Sequence, residues 1–214
     1  QKASMAKNLK AKCKQCRRLG EKLFLKGDRC SSPKCAIVKR NYPPGAHGGK
    51  GKGRKSNFGL QLEEKQKVRK QYALMEKQFR LTFEKAKKQQ GNAGENLFKL
   101  LEMRLDNTIY RMGLAASRGQ ARELVNHGHF TVNDKKVDIP SFQVKAGDVI
   151  KIKINSRAKK QFSNLGEILK KVKAPGWLNI DAKELSGKVL HNPGKEEIRN
   201  INFNPQMIVE FYSK

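Results

Sequence analysis

Acidic residues are scarce in this chain: 19 Asp+Glu stand against 47 Lys+Arg in 214 residues, a formal net charge of +28. A chain this basic repels itself until a polyanion neutralises it, so the composition excludes a neutral enzyme as the default and points to nucleic acid or an anionic surface. Long apolar runs are missing too. None approaches eighteen residues, which excludes a transmembrane helix, and the opening Gln1-Lys-Ala-Ser-Met-Ala-Lys has no apolar stretch of the secretory kind, so a cytoplasmic, membrane-free protein is expected. Hydrophobic residues reach 37% and aromatics 7%, with one Trp, enough for one or two modest cores. Catalytic signatures are absent: no HExxH, no G-x-x-x-x-G-K-[ST] and no G-x-S-x-G occurs. Of the four histidines, His47 lies in a glycine-rich stretch, while His127 and His129 flank a helix end, where a cap or a phosphate contact fits better than catalysis. No enzyme is expected.

The charge is unevenly spread. Residues 1–60 hold 17 Lys+Arg and two acids, more than half of the whole excess. Within them Tyr42–Lys55, YPPGAHGGKGKGRK, has almost nothing to bury and reads as an arm that orders on nucleic acid, with His47, Lys50, Lys52, Arg54 and Lys55 as phosphate contacts.

From Gln61 the texture becomes helical. Val68, Tyr72, Met75, Phe79 and Phe83 recur at spacings of three and four over Leu62–Gln90, and a break near Met75–Glu76 is expected. A second helix is expected over Glu95–Met112, with Leu97, Leu100, Leu101, Leu105 and Ile109 on one face. A third spans Ser117–His127, where Ser117 and Gln120 stand in capping-box relation. Strands follow at His129–Val132, Lys136–Ile139 and Asp148–Ile154, around a turn at Asn133-Asp134. A basic helix is expected over Ser156–Lys173, and strand-like runs at Gly187–Leu190 and Met207–Tyr212. The class is α+β, divided into a segment 1–41, the arm 42–60, a helical domain 61–103 completed by 157–214, and an RNA-binding module 104–156.

All four cysteines, Cys13, Cys16, Cys30 and Cys35, fall within 23 residues, as C-x2-C and C-x4-C pairs. Two such pairs suit four thiolates around one ion, and zinc is the expected occupant, with an iron–sulfur cluster as the alternative. Disulfide pairing is disfavoured in a reducing compartment. Lys12, Lys14, Arg17, Arg18 and Arg29 would favour thiolates, and Arg17 and Arg18 are also candidate RNA contacts.

On the Ser117–His127 helix, Arg118 and Arg122 are i,i+4 neighbours, and both guanidiniums are expected to point outward. The helix start offers free amides to an anion, and Lys135 and Lys136 emerge from the next turn. The run RLDNTIYRMGLAASRGQARELVNHGHFTVNDKKVDIPSFQVKAGDVIKI, Arg104–Ile152, closely resembles the RNA-binding module named after ribosomal protein S-four, a helix pair on a bent antiparallel sheet. The flanking NYPPGAHG (Asn41–Gly48), FGLQLEEKQKVRKQY (Phe58–Tyr72), GENLFKLLEMRLDN (Gly94–Asn107) and the ending IVEFYSK (Ile208–Lys214) are similar to the bacterial small-subunit protein family itself.

That resemblance implies a primary binder of 16S rRNA at a multi-helix junction of the 5′ domain. It also implies neighbours in small-subunit proteins three and five, a place beside the channel through which mRNA enters, and in some members repression of the family's own operon mRNA. By the family's pattern Arg104, Ser117, Arg118, Gln120, Arg122 and His127 face RNA, with Lys135 nearby, and the four-cysteine opening resembles a zinc-bearing subset. Two other classes are weighed against this. One is an RNA-modifying enzyme, because Arg104-Leu105-Asp106 is similar to the RLD triplet of pseudouridine synthases, although no segment is long enough to supply the catalytic domain. The other is a zinc-containing RNA-binding regulator.

Overall fold

The computed structural model describes residues 10–50, 53–194, 196–197 and 203–213. The chain divides into two compact units, residues 1–97 with 202–214, and residues 98–201.

In the first unit α1 (Lys12–Leu19), α2 (Asp28–Ser31) and α3 (Ala36–Lys39) surround a small apolar cluster of Cys16, Leu23 and Leu25. Two long helices follow, α4 (Asn57–Gln71) and α5 (Glu76–Lys88), separated where the sequence placed the break. Ser56 starts α4 by accepting the Gly59 N–H at 3.2 Å. Polar residues of α4 are buried because each charge finds a partner: Lys65 reaches Glu76 at 2.7 Å and Lys67 reaches Glu21 at 2.8 Å.

The chain's last described helix packs on α4 although its residues read as strand. Ile208 and Val209 favour strand locally, but Asn204 caps the Gln206 N–H at 3.0 Å and Pro205 sits in the first turn. Ile208 is fully buried, and Tyr212 stacks on Phe83 with ring centroids 4.6 Å apart. Tertiary burial therefore decides against the strand expected at Met207–Tyr212.

The second unit takes α6 (Ala93–Glu102) on from Phe98 and adds α7 (Leu105–Arg111) and α8 (Arg118–Asn126). The single helix expected over Glu95–Met112 is thus two. Arg104 is extended, and the α7 amides of Leu105 and Asp106 donate to Phe142 O at 2.8 Å and Pro140 O at 3.2 Å. Because Leu101, Leu105 and Ile109 keep their spacing across the kink, periodicity alone did not reveal it.

After α8 come β1 (Phe130–Val132), β2 (Lys135–Lys136) and β3 (Val149–Ile152). Asn133 and Asp134 both have positive φ, 49° and 63°, as a two-residue hairpin turn requires. β3 stops at Ile152; Ile154, assigned from the sequence to the strand, is 80% exposed and opens the short α9 (Ile154–Arg157). The basic helix expected over Ser156–Lys173 is broken into α9, a 3-10 turn Lys160–Phe162 and α10 (Leu165–Lys171), because Phe162, Leu165 and Leu169 all turn into the core. Then β4 (Leu178–Asp181), which the sequence reading missed, and β5 (Ser186–Val189) complete an antiparallel sheet of order β2-β1-β3-β5-β4; the helix over Pro205–Tyr212 is α11.

The assignment of 157–214 to the helical domain is corrected by this sheet. Val149, Ile150 and Lys151 of β3 pair with Lys188, Gly187 and Ser186 of β5, so the C-terminal strands extend the module's own sheet, and α11 is what joins the helical unit. Trp177, Leu178 and Val189 sit in one core with Phe130, Ile150 and Val125. A fragment of residues 98–201 should therefore unfold cooperatively, whereas 98–156, left with β3 unpaired and that core open, should show no cooperative transition in denaturant.

Candidate nucleic-acid interface

The α7–α8 pair is built around two buried carboxylates. Asp106 accepts a bidentate pair from Arg104, Nε to Oδ1 at 3.1 Å and a terminal nitrogen to Oδ2 at 2.8 Å, and Arg122 approaches the same Oδ2 at 3.5 Å. Glu102, its side chain 1% exposed, takes both ends of the Arg111 fork at 2.9 and 2.8 Å and accepts from Asn107. Asn107 Oδ1 in turn accepts from Arg118 Nε at 2.7 Å, and the Arg118 guanidinium lies 4.5 Å from the centre of the Tyr110 ring. Four arginines thus surround two carboxylates, and the cluster keeps an excess of positive charge.

Several expected contacts are relocated by this network. Arg104 is 2% exposed and engaged by Asp106, so it braces the kink at the start of α7 and presents no surface to RNA. Arg118, 6% exposed, folds back over Tyr110 and does not point outward. Arg122 also leans toward Asp106, yet one of its terminal nitrogens is buried with no hydrogen-bond partner among the described residues. Burial works against its charge, and the neighbouring Asp106 supports it. Ser117 and Gln120 are occupied by the cap: Ser117 Oγ accepts the Gln120 N–H at 3.3 Å, and Gln120 Oε1 accepts the Ala116 N–H at 2.9 Å. Of the expected contacts on this unit, His127, Lys135 and Lys136 are exposed. Lys136 lies along Gly128, where a Cβ would come within 2.6 Å of its Cε; the exposed lysine end can swing aside, so glycine is needed there for its φ of 68°.

The first unit treats its basic residues in the same mixed way. Arg17, expected at RNA, clamps the arm: its Nε donates to Tyr42 O at 3.0 Å, a terminal nitrogen donates to Pro43 O at 3.3 Å, and its guanidinium stacks 4.7 Å from the Tyr42 ring centre. Gly48 closes against the same turn, where a Cβ would stand 1.9 Å from Pro43 O. The start of the arm accordingly has a fixed course that composition did not reveal. Arg18, His47 and Lys55 line one cleft of about 790 Å³, with Lys55 paired to Glu63. Lys50 and Arg54 are exposed, and Lys52 lies outside the described residues.

All four cysteines are free thiols, and Cys13, Cys16, Cys30 and Cys35 line one small cavity of about 20 Å³. The Lys26 N–H donates to Cys30 Sγ at 3.3 Å, and burial raises the Cys16 thiol above its ordinary value. Among the described residues no group of three or more His, Cys, Asp or Glu side chains is arranged to hold a metal ion. The thiols pack as small apolar side chains beside Leu25 and Ile37.

Comparison with known proteins accounts for this layout. The family model for the ribosomal protein S4/S9 N-terminal domain matches residues 7–102, and that for the S4 domain matches residues 103–150. Small ribosomal subunit protein uS4 of Clostridioides difficile (strain 630) is 54% identical over 210 residues, covering 98% of this chain and 100% of the relative. The chain belongs to the uS4 family. Members from Acetivibrio thermocellus and Syntrophomonas wolfei, also named small ribosomal subunit protein uS4, are 52% and 51% identical, covering 98% and 94% of this chain and 100% and 96% of their own lengths. In this uS4-family chain the S4-domain match ends at residue 150, inside β3, whereas the sheet continues to β5. Among the described residues no helix is long and apolar enough to cross a membrane.

Sequence reasoning missed Glu102, Asn107 and Tyr110, which hold the arginines in place. Their signal was the polar run Arg104-Leu105-Asp106-Asn107 inside an otherwise apolar helical stretch. Because Asp106 serves two arginines from a buried position, Asp106→Ala should destabilise the second unit by about 3–5 kcal/mol in urea unfolding, through the uncompensated charge it leaves. Arg122→Ala, removing a partly unsatisfied group, should cost no more than about 1 kcal/mol in the same experiment.

Proposed function

We propose that this chain serves in its own ribosome as a structural protein of the small subunit that binds ribosomal RNA. The carrying observation is full-length likeness to relatives named small ribosomal subunit protein uS4, joined to a net charge of +28 and an arginine network pre-set on α7 and α8. The family is a structural one, so the enzymatic alternative is set aside; Asp106, the acid of the RLD triplet, is buried against Arg104. By the same reading the protein works ribosome-bound in the cytoplasm, recognises the multi-helix junction of the 16S 5′ domain and nucleates assembly there. It neighbours small-subunit proteins three and five beside the path of incoming mRNA, where it affects translational accuracy, and its own operon mRNA is a further ligand.

RNA contact falls to basic and polar side chains of both units. Arg122, His127, Lys135 and Lys136 serve on the second unit, and Arg18, His47, Lys50, Lys52, Arg54 and Lys55 on the first. Arg104, Arg118, Ser117 and Gln120 act by shaping the α7–α8 surface, and Arg17 by shaping the arm. Arginines fixed by neighbouring carboxylates lose little side-chain freedom when a phosphate arrives, which favours binding. Arg122→Ala should flatten the slope of log K against log[salt] for a 5′-domain transcript by about 0.9, the amount for one duplex phosphate. An unchanged slope in a folded variant counts against that contact, and failure of the wild-type chain to co-sediment with small subunits overturns the ribosomal reading.

Zinc, with an iron–sulfur cluster as the alternative, is proposed from the chemistry of the donor set: four cysteines lining one cavity, with several cations nearby to offset thiolate charge. Among the described residues the thiols are not gathered to hold an ion and would have to close on it. Cys13, Cys16, Cys30 and Cys35 would hold the ion, which would tie together a segment whose apolar cluster is small. Such binding is folding energy, about 10–16 kcal/mol in zinc peptides. Elemental analysis should find one zinc per chain, and Cys30→Ser should abolish it and expose the amides of α1–α3 to exchange. Four titrating thiols in a metal-free, fully protected segment would overturn this; iron with visible absorbance would establish the cluster.

A further inference from the structure

Beyond the end of α8 lies a feature that the arginine network does not use. The helix closes with Gly128 N–H donating to Val125 O at 2.8 Å and His129 N–H donating to Leu124 O at 3.2 Å. These bonds satisfy the Val125 and Leu124 carbonyls at the helix end. His127 is exposed and His129 buried, their rings edge-on at 6.0 Å. Ser156 Oγ stands 3.0 Å from His129 Nδ1, and the Phe162 ring packs edge-on to the imidazole at 5.6 Å, so this ring is held from two sides. Phe162 also anchors the turn Lys160–Phe162 in the core, 6.4 Å from the Phe130 ring, which fixes the backbone carrying Lys159 and Lys160.

His127, His129, Lys159, Lys160 and Gln161 line one open depression of about 570 Å³, and no carboxylate is among these lining residues. We propose that this depression is a second RNA-backbone site, taking successive phosphodiester groups on Lys159 and Lys160, with the two imidazoles as hydrogen-bonding partners beside them. The proposal rests on the reading of the chain as a ribosomal RNA binder and names a contact outside the α7–α8 cluster. The Ser156 hydroxyl engages Nδ1 of His129 and leaves Nε2 as the other hydrogen-bonding atom of the ring. Burial lowers the His129 pKa first, and the nearby positive charge of Lys159 and Lys153, with His127, lowers it further. Lysines on a turn fixed by a buried Phe give a defined position to a charge that is otherwise carried on a flexible stem. The depression is wide and open, which suits a strand passing across it better than a small enclosed ligand.

The test uses the full chain and a transcript of the 16S 5′ domain, with affinity measured over a range of KCl. Three proteins are compared: wild type, K159Q/K160Q, and K170Q/K183Q as a control that removes the same charge from exposed lysines elsewhere. All substituted positions are exposed, and thermal melts confirm that each variant is folded. K159Q/K160Q should flatten the log K against log[salt] slope by about 1.4 for single-stranded or about 1.8 for duplex phosphates, with the control nearly unchanged. H127Q in the wild-type background should weaken binding without altering the melt. Equal slopes for wild type and K159Q/K160Q, or an equal loss in the control, overturn the site while leaving the ribosomal reading intact. Absence of wild-type binding overturns that reading itself.

Discussion

Glu102 and Asp106 are carboxylates buried in a protein with a large excess of cations, and the second unit is organised by what they attract. Each sits at the junction of α6 and α7, where the chain leaves helix for one residue at Arg104. Their charges would be prohibitive in an apolar interior without partners, so burial forces the arginines inward. Arg104 and Arg111 answer directly, Arg118 through Asn107, and Arg122 at longer range. The kink, the helix pair and the placement of α8 over α7 all depend on this exchange.

That arrangement reconciles two requirements that ordinarily conflict. A surface for RNA needs dense positive charge, and dense positive charge opposes compaction. Here part of the charge is folded inward against acids and an aromatic ring, where it stabilises the helix pair. What is left over stands at the exposed His127, Lys135 and Lys136, and at Arg122, which is partly exposed although its buried Nη1 leans on Asp106. Arginine suits the task because its planar fork can bind a carboxylate on one edge and leave another edge for phosphate.

The first unit solves the same problem with backbone. Arg17 uses its guanidinium on two carbonyls and a ring, turning a Pro/Gly-rich stretch into a defined turn. Lys65 and Lys67 are buried on α4 because Glu76 and Glu21 reach them. Glu76 also accepts from the Tyr212 hydroxyl at 3.1 Å, which ties the C-terminal helix to this unit. Desolvation opposes the Glu76 charge, but Lys65, Tyr212 and Arg69 outweigh it and hold the carboxyl below its ordinary value.

The partner class, the mixed α+β character, the start of α8 at Ser117, the Asn133-Asp134 turn and the break between α4 and α5 were all legible in the sequence, because each rests on composition or on residues close together along the chain. Charge excess needs only counting, a cap only a spacing of three, a hairpin turn only two residues that tolerate positive φ. What the tertiary structure alone decided depends on distant partners. The kink at Arg104 is set by loop carbonyls some forty residues away, at Pro140 and Phe142. The helical state of Pro205–Tyr212 is set by burial on α4, and the membership of β4 and β5 in the module's sheet by pairing with β3. Most of all, the sequence could show that Arg104, Arg118 and Arg122 were cationic but not which way they faced. Helical spacing gives a side of the helix, whereas the buried acids that turn a guanidinium inward come from its neighbour.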